Sequence, residues 1–165
     1  MRNWRRWLRE ILIMVGLITA ITLWQGRQLL SRGEPAPSLR VGDFDLAQLR
    51  GQRVLVYFYA PWCGVCKMSA GNLETLRSLF AEANLSFVAV ALDYENQAEA
   101  RQFLEEHHIP GTLVLGDPKI AQAWQIQGYP TYYLIDASGA IAHATFGYST
   151  LPGLIVRTLL TTAKL

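Results

Sequence analysis

The chain has 165 residues, of which 51% are hydrophobic and 17% charged, so it fits one domain with a short appendage and is not a disordered chain. Its two cysteines exclude a small scaffold stapled by several disulfides. Residues 1–33 carry a net charge of +5 and the remainder a net charge of −3. A nucleic-acid-binding domain would carry its basic excess on the folded part, so we expect no nucleic-acid partner.

The first 24 residues have the order of a signal anchor. Four arginines precede an apolar run over residues 11–24, and the positive end of such a segment stays in the cytoplasm. We therefore predict a cytoplasmic basic segment over residues 1–10 and a transmembrane signal anchor over residues 11–24. The run has 14 residues, fewer than the ~20 of a full span, so a cleaved signal and a buried soluble helix are the alternatives. We expect retention, because the nearest cleavage site, Ser31-Arg32-Gly33, lies late and contains an arginine.

Strands and helices alternate in the rest of the chain. Residues 25–38 have the glycines, prolines and polar residues of a linker, and the domain is predicted to span residues 39–165. The apolar, β-prone runs Val54–Tyr59 and Phe87–Leu92 predict buried strands. Further strands are predicted at 113–115, 131–135 and 140–146, and helices at 63–83, 96–108, 118–124 and 151–162. This β-α-β half followed by β-β-α predicts an α/β sandwich with a mixed central sheet.

Cys63 and Cys66 lie where the first predicted strand ends and the first helix of the domain begins. Backbone N–H groups and the positive end of the helix dipole favour a thiolate there, so we predict a depressed pKa for Cys63. The spacing places the second sulfur about one helical turn away, deeper and within disulfide distance. We therefore assign Cys63 as the attacking nucleophile and Cys66 as the resolving thiol of an exchange through a mixed disulfide.

Other uses of these cysteines are weaker. A structural disulfide that closes so short a loop adds little stability. Zinc needs about four ligands, and the three histidines, His107, His108 and His143, show no paired spacing. A Cu(I) site formed by the two cysteines with Met68 remains an alternative, because soft ligands suit that ion. We favour redox exchange with no metal, and we expect His143 to point into solvent from its hairpin.

The chain resembles the thioredoxin superfamily over roughly residues 35–163. The resemblance is carried by Val54–Ala60 leading into Trp62-Cys63-Gly64-Val65-Cys66, by Gly128-Tyr129-Pro130-Thr131, and by Leu134-Ile135-Asp136. The chain is most similar to the membrane-anchored bacterial TlpA-like branch and looks closest to the ScsD-type protein disulfide oxidoreductases. The resemblance implies a thioredoxin-like three-layer sandwich behind an N-terminal transmembrane helix. It also implies an enzyme whose redox-active disulfide is its only cofactor, on the bacterial inner membrane with its catalytic domain in the periplasm.

The resemblance also implies a substrate site. Pro130 matches the proline that is cis in the family and faces the two cysteines. A cis turn there would leave the backbone of Tyr129 free to pair with an extended substrate strand. Trp62 is expected to shield the disulfide and offer apolar contact, so Trp62, Tyr129 and Pro130 are the predicted substrate-binding residues.

Two residues depart from the family pattern. Tyr57 stands where many thioredoxins carry a buried aspartate, and Ser69 stands where TlpA-like reductases often carry an acid. We therefore assign no catalytic acid and expect water to move the proton of Cys66. The implied partners are disulfide-containing exported proteins and a membrane electron donor of the DsbD type. Reduction of the substrate is the expected direction, with an oxidase or isomerase as the alternative.

Overall fold

The computed structural model of the protein describes residues 2–26 and 29–162. The helices are α1 (Arg2–Gly26), α2 (Gly64–Leu79), α3 (Gln97–Glu106), α4 (Pro118–Ala123) and α5 (Leu151–Thr162). The strands are β1 (Arg40–Val41), β2 (Phe44–Asp45), β3 (Arg53–Tyr59), β4 (Leu85–Ala91), β5 (Thr112–Leu115), β6 (Thr131–Ile135) and β7 (Ile141–Phe146). A 3₁₀ turn, Leu46–Leu49, follows β2.

Five strands form the central sheet in the order β5-β4-β3-β6-β7. The first three run parallel, whereas β6 is antiparallel to β3 and β7 is antiparallel to β6. The predicted mixed sheet is therefore confirmed. The short β1–β2 hairpin was not predicted, because strands of two residues are too short to show an alternating pattern.

The two faces of the sheet are covered by different helices, which makes the predicted three layers. All of β3 is buried, as expected of a central strand, and its side chains alternate between the faces. Leu55 and Tyr57 share one hydrophobic core with residues of α2, α3 and α5. Val56 and Phe58 lie in the other core, which α4 covers in part.

Part of the segment that was expected to be a linker packs against the domain. Leu29 is buried in the second core. Pro35 pairs with Ala140 at the start of the last hairpin strand, and the N–H of Gly33 donates to the carbonyl of Ile141 at 2.8 Å. We call residues 29–36 the lead-in segment. Its prolines and glycines are typical of a linker, and its pairing partner lies more than 100 residues away in the chain. The sequence therefore did not indicate this packing.

The apolar run predicted to be a membrane anchor lies within α1. Several of its side chains are exposed, among them Leu12 and Met14. Within residues 2–26 and 29–162, no helix combines the length and the apolar character that crossing a membrane requires.

His143 does not point fully into solvent as predicted, because it is half-buried and faces α5. It lies opposite Leu134 in the β6–β7 register and lines a small cavity together with Arg157. Its Nε2 is buried and has no hydrogen-bond partner among the described residues. Burial, aided by the charges of Arg32 and Arg157, lowers the pKa of His143 from its ordinary value of 6.5.

Candidate active site

The two cysteines lie at the N-terminus of α2, at the end of the central strand. Cys63 is the N-cap of the helix, and its main-chain N–H donates to the carbonyl of Ala60 at 3.0 Å. Cys63 and Cys66 form a disulfide, and the Sγ of Cys63 accepts the main-chain N–H of Cys66 at 3.1 Å. A thiolate at Cys63 would therefore meet a backbone donor and the positive end of the helix dipole.

The two sulfur-bearing residues differ in access. Cys63 is 5% exposed and Cys66 is fully buried. Cys66 is the deeper residue, as predicted. Cys63 is less exposed than predicted, because the disulfide packs into the hydrophobic core that also contains Leu55 and Tyr57 of β3. Three large apolar side chains nearby in sequence are exposed: Trp62, Val65 and Met68.

The start of β6 lies beside the end of β3, next to the cysteines. Thr131, the first residue of β6, pairs with Phe58. The Tyr129–Pro130 peptide bond just before it is cis, as the resemblance implied. The ring of Tyr129 meets that of Trp62 edge-on at 5.9 Å between centroids. The structure therefore brings Tyr129 to Trp62, and the sheet register places Pro130 at the same end of the sheet as the cysteine loop.

Asp93 belongs to this site, and sequence reasoning missed it. The indole Nε1 of Trp62 donates to the main-chain carbonyl of Asp93 at 3.1 Å. The hydroxyl of Tyr129 donates to Oδ2 of the same residue at 3.0 Å. Burial, aided by this carboxylate, raises the pKa of Tyr129, so the hydroxyl stays protonated and remains a donor. The position of Asp93 just after β4 could have revealed it in the sequence. Because β3 and β4 are parallel, they end at the same edge of the sheet, so a residue that follows β4 lies near the cysteine loop that follows β3.

Cys66 lies in the hydrophobic core, with two uncharged hydroxyl groups nearby. The buried hydroxyl of Tyr57 donates to the carbonyl of Cys66 at 3.2 Å, and the hydroxyl of Ser69 donates to the carbonyl of Val65 at 2.9 Å. Burial raises the pKa of Tyr57 far above its ordinary value. No aspartate or glutamate is buried in the part of the chain that the structure describes. A buried carboxylate therefore does not take the proton of Cys66.

A family model describes most of the chain. The model of the family described as Redoxin matches residues 32–154, which include both cysteines and Pro130. The chain belongs to the Redoxin family. Its relatives include the ResA and DsbE proteins of the TlpA-like branch, so the branch to which the sequence was assigned is confirmed.

Two of the relatives match the chain over most of its length. The thioredoxin-like protein YneN of Bacillus subtilis is 25% identical over 160 residues, covering 88% of this chain and 92% of its own. The thiol:disulfide interchange protein DsbE of Pseudomonas fluorescens is 30% identical over 153 residues, covering 83% of each chain.

A solved structure shares the fold. A putative thiol:disulfide interchange protein DsbE from Chlorobium tepidum superposes with a TM-score of 0.70 at 27% identity, covering 80% of this chain and 98% of its own. With the Cys63–Cys66 pair, these matches make this member of the Redoxin family a thiol-disulfide oxidoreductase with a thioredoxin-like fold.

Proposed function

We propose that this Redoxin family member is anchored in the bacterial inner membrane, faces the periplasm and reduces disulfides of exported proteins. The observation that carries the exchange chemistry is the Cys63–Cys66 disulfide at the first turn of α2, with a backbone N–H on the Sγ of Cys63. This donor stabilises the thiolate that attacks. The pair itself is the redox group, and no further cofactor is needed.

The reduced pair would act in two displacements. The Cys63 thiolate attacks one sulfur of the substrate disulfide, whose other sulfur leaves as a thiolate and takes a proton from water. Cys66 then loses its proton to water and attacks the Sγ of Cys63, which releases the second substrate sulfur as a thiolate. Two electrons pass to the substrate, and the protein is left with the Cys63–Cys66 disulfide. A DsbD-type membrane donor, itself a dithiol, would return the electrons by the same exchange.

The rim of the pair suits an extended protein segment. Trp62, Val65 and Met68 expose apolar surface near the cysteines. The main-chain N–H and C=O of Tyr129 form no hydrogen bond to any described residue. An extended substrate strand could pair with them, while its side chains rest on the apolar rim. Trp62, Tyr129 and Pro130 thus keep their proposed role in substrate binding.

The anchoring proposal rests on charge order and on exposed apolar surface. Arg2, Arg5, Arg6 and Arg9 precede the apolar part of α1. Trp4 and Trp7, which lie between these arginines in the sequence, are exposed. Most described apolar residues from there up to Leu17 are exposed as well. An exposed apolar surface of this size is typical of a binding surface, and lipid would bury it. The tryptophans would then lie at the membrane–water interface.

The direction of electron flow is tested by the reduction potential. The Gly64-Val65 dipeptide adds no positive charge to stabilise the Cys63 thiolate beyond the helix start, so we expect roughly −200 to −280 mV. The full chain in detergent would be equilibrated in glutathione buffers, and the fraction of reduced pair would be counted by alkylation. A value of about −120 mV would make the protein an oxidase instead.

The location is tested separately. A reporter that is active only after export, fused behind Leu165, should be active, and the protein should stay with membranes after a high-salt wash. A shortened soluble form would reveal a cleaved signal, and an inactive reporter would contradict export.

A further inference from the structure

We infer that Asp93 is a positioning residue that holds Trp62 and Tyr129 in one arrangement beside the Cys63–Cys66 pair, and so supports action on protein disulfides. Its two hydrogen bonds join three loops: the β3–α2 loop with Trp62, the β4–α3 loop with Asp93, and the loop before β6 with Tyr129. The third side of the triangle is the edge-on contact between the two aromatic rings.

The residue type fits this task. Asp93 has a φ of +48°, in the left-handed region that aspartate and asparagine enter more readily than most residues. In this conformation its carbonyl meets the indole while its carboxylate meets the phenol. A hydrogen bond to a carboxylate is stronger than one between neutral groups, so the Tyr129 contact is the firmer of the two.

Because Trp62 is exposed, a hydrogen bond is needed to hold its side chain in one orientation. Its side chain is 66% exposed, so packing alone does not hold it in one orientation. The bond from Nε1 satisfies its only donor and leaves the apolar ring free to meet a substrate. A ring that this hydrogen bond already orients loses less conformational entropy on binding a protein strand than a freely rotating ring would.

The consequence is selective. A small disulfide needs only the sulfur of Cys63, whereas a protein strand would also need the Tyr129 main chain and the Trp62 ring in place. Loosening this arrangement should therefore lower the rate with a protein disulfide more than the rate with a small one. This step rests on the proposed binding of substrate at Trp62 and Tyr129.

Two variants remove the bond between Tyr129 and Asp93 from its two sides, and a third keeps it. Tyr129→Phe deletes only the hydroxyl. Asp93→Gly deletes the carboxylate but tolerates the positive φ and keeps the carbonyl. Asp93→Asn keeps an acceptor oxygen, the carbonyl and the tolerance for this φ, so it is the conservative rescue variant.

The full-length protein in detergent would be assayed for kcat/KM with insulin and with oxidised glutathione. We expect Tyr129→Phe and Asp93→Gly each to lower the insulin-to-glutathione ratio by about two- to tenfold, the effect of one hydrogen bond. The double variant should lose no more than the larger single loss, because both remove the same bond. Asp93→Asn should restore most of the ratio.

The side-chain N–H resonance of Trp62 gives an independent readout. It should shift in Tyr129→Phe and in Asp93→Gly, and stay near its wild-type position in Asp93→Asn. Additive losses, equal losses with both substrates, or an unmoved resonance would overturn the inference. If the wild-type protein leaves insulin disulfides intact, the proposed reductase function fails. The same selective loss is then expected in the oxidation of a reduced unfolded protein, and its absence would overturn the role of Asp93.

Discussion

The Sγ of Cys63 accepts the main-chain N–H of Cys66 at 3.1 Å, so the two cysteines of the pair are electrostatically unequal. Cys66 has no exposed surface, and the hydroxyls of Tyr57 and Ser69 donate to main-chain carbonyls. In the reduced protein, we expect iodoacetamide near neutral pH to modify Cys63 several times faster than Cys66. A time course followed by peptide mass spectrometry measures both rates, and equal rates would contradict the assignment of nucleophile and resolving thiol.

Replacing each cysteine should separate the two displacements. Cys63→Ser should abolish reduction of insulin, because no thiolate remains at the helix start. Cys66→Ser should still attack and then accumulate mixed disulfides with substrate, because the resolving thiol is gone. Non-reducing gels of exported proteins captured by each variant make the comparison. Trapping by Cys63→Ser and not by Cys66→Ser would reverse the roles.

The lead-in segment should contribute to stability. Leu29 is buried, so Leu29→Ala should lower the free energy of unfolding by about 2–5 kcal/mol, the cost of a large-to-small change in a core. Leu79→Ala is the matched control, because that leucine is 60% exposed on α2, and its effect should stay within about 0.5 kcal/mol. Urea unfolding would measure both. Equal effects would mean that residues 29–36 do not belong to the folded unit.

Arg53 should act as a buried connector between elements. Its guanidinium donates to the carbonyl of Thr158 in α5 at 3.1 Å and to the carbonyl of Ala83 before β4. We expect Arg53→Met to lower the free energy of unfolding by roughly 2–3 kcal/mol, because two carbonyls lose a charged donor. Arg101→Met, at an exposed position of α3, is the control for loss of charge alone. A similar result for the two variants in thermal unfolding would refute the connector role.

The half-buried ring of His143 should make stability depend on pH. Burial lowers its pKa below 6.5 in the folded protein, so below pH 6.5 the unfolded chain binds a proton that the folded protein does not. The free energy of unfolding should therefore fall as the pH drops below about 6.5 and level off once the folded protein also binds that proton. His143→Gln should flatten this part of the curve, whereas His108→Asn, at an exposed position, should leave it in place. A wild-type curve that is flat between about pH 6.5 and 5 would contradict a lowered pKa of His143 in the folded protein.

The sequence was sufficient for those features that depend on local patterns. The apolar run over Val54–Tyr59 predicted the central strand, and the helix start at Cys63 was visible from the turn before it. Features that join distant segments were not visible. The pairing of Pro35 with Ala140 and the bonds of Asp93 to two loops depend on the assembled sheet, and no local periodicity encodes them.

Only two residues separate Gly26, the end of α1, from Leu29, the first buried residue of the lead-in segment. Three Cα–Cα steps of extended chain reach at most about 11 Å. With α1 held in the bilayer as proposed, this short connection would keep the domain close to the membrane surface. Its meeting with a membrane-embedded donor would then be a search in two dimensions, whereas soluble substrates would have to diffuse to the bilayer.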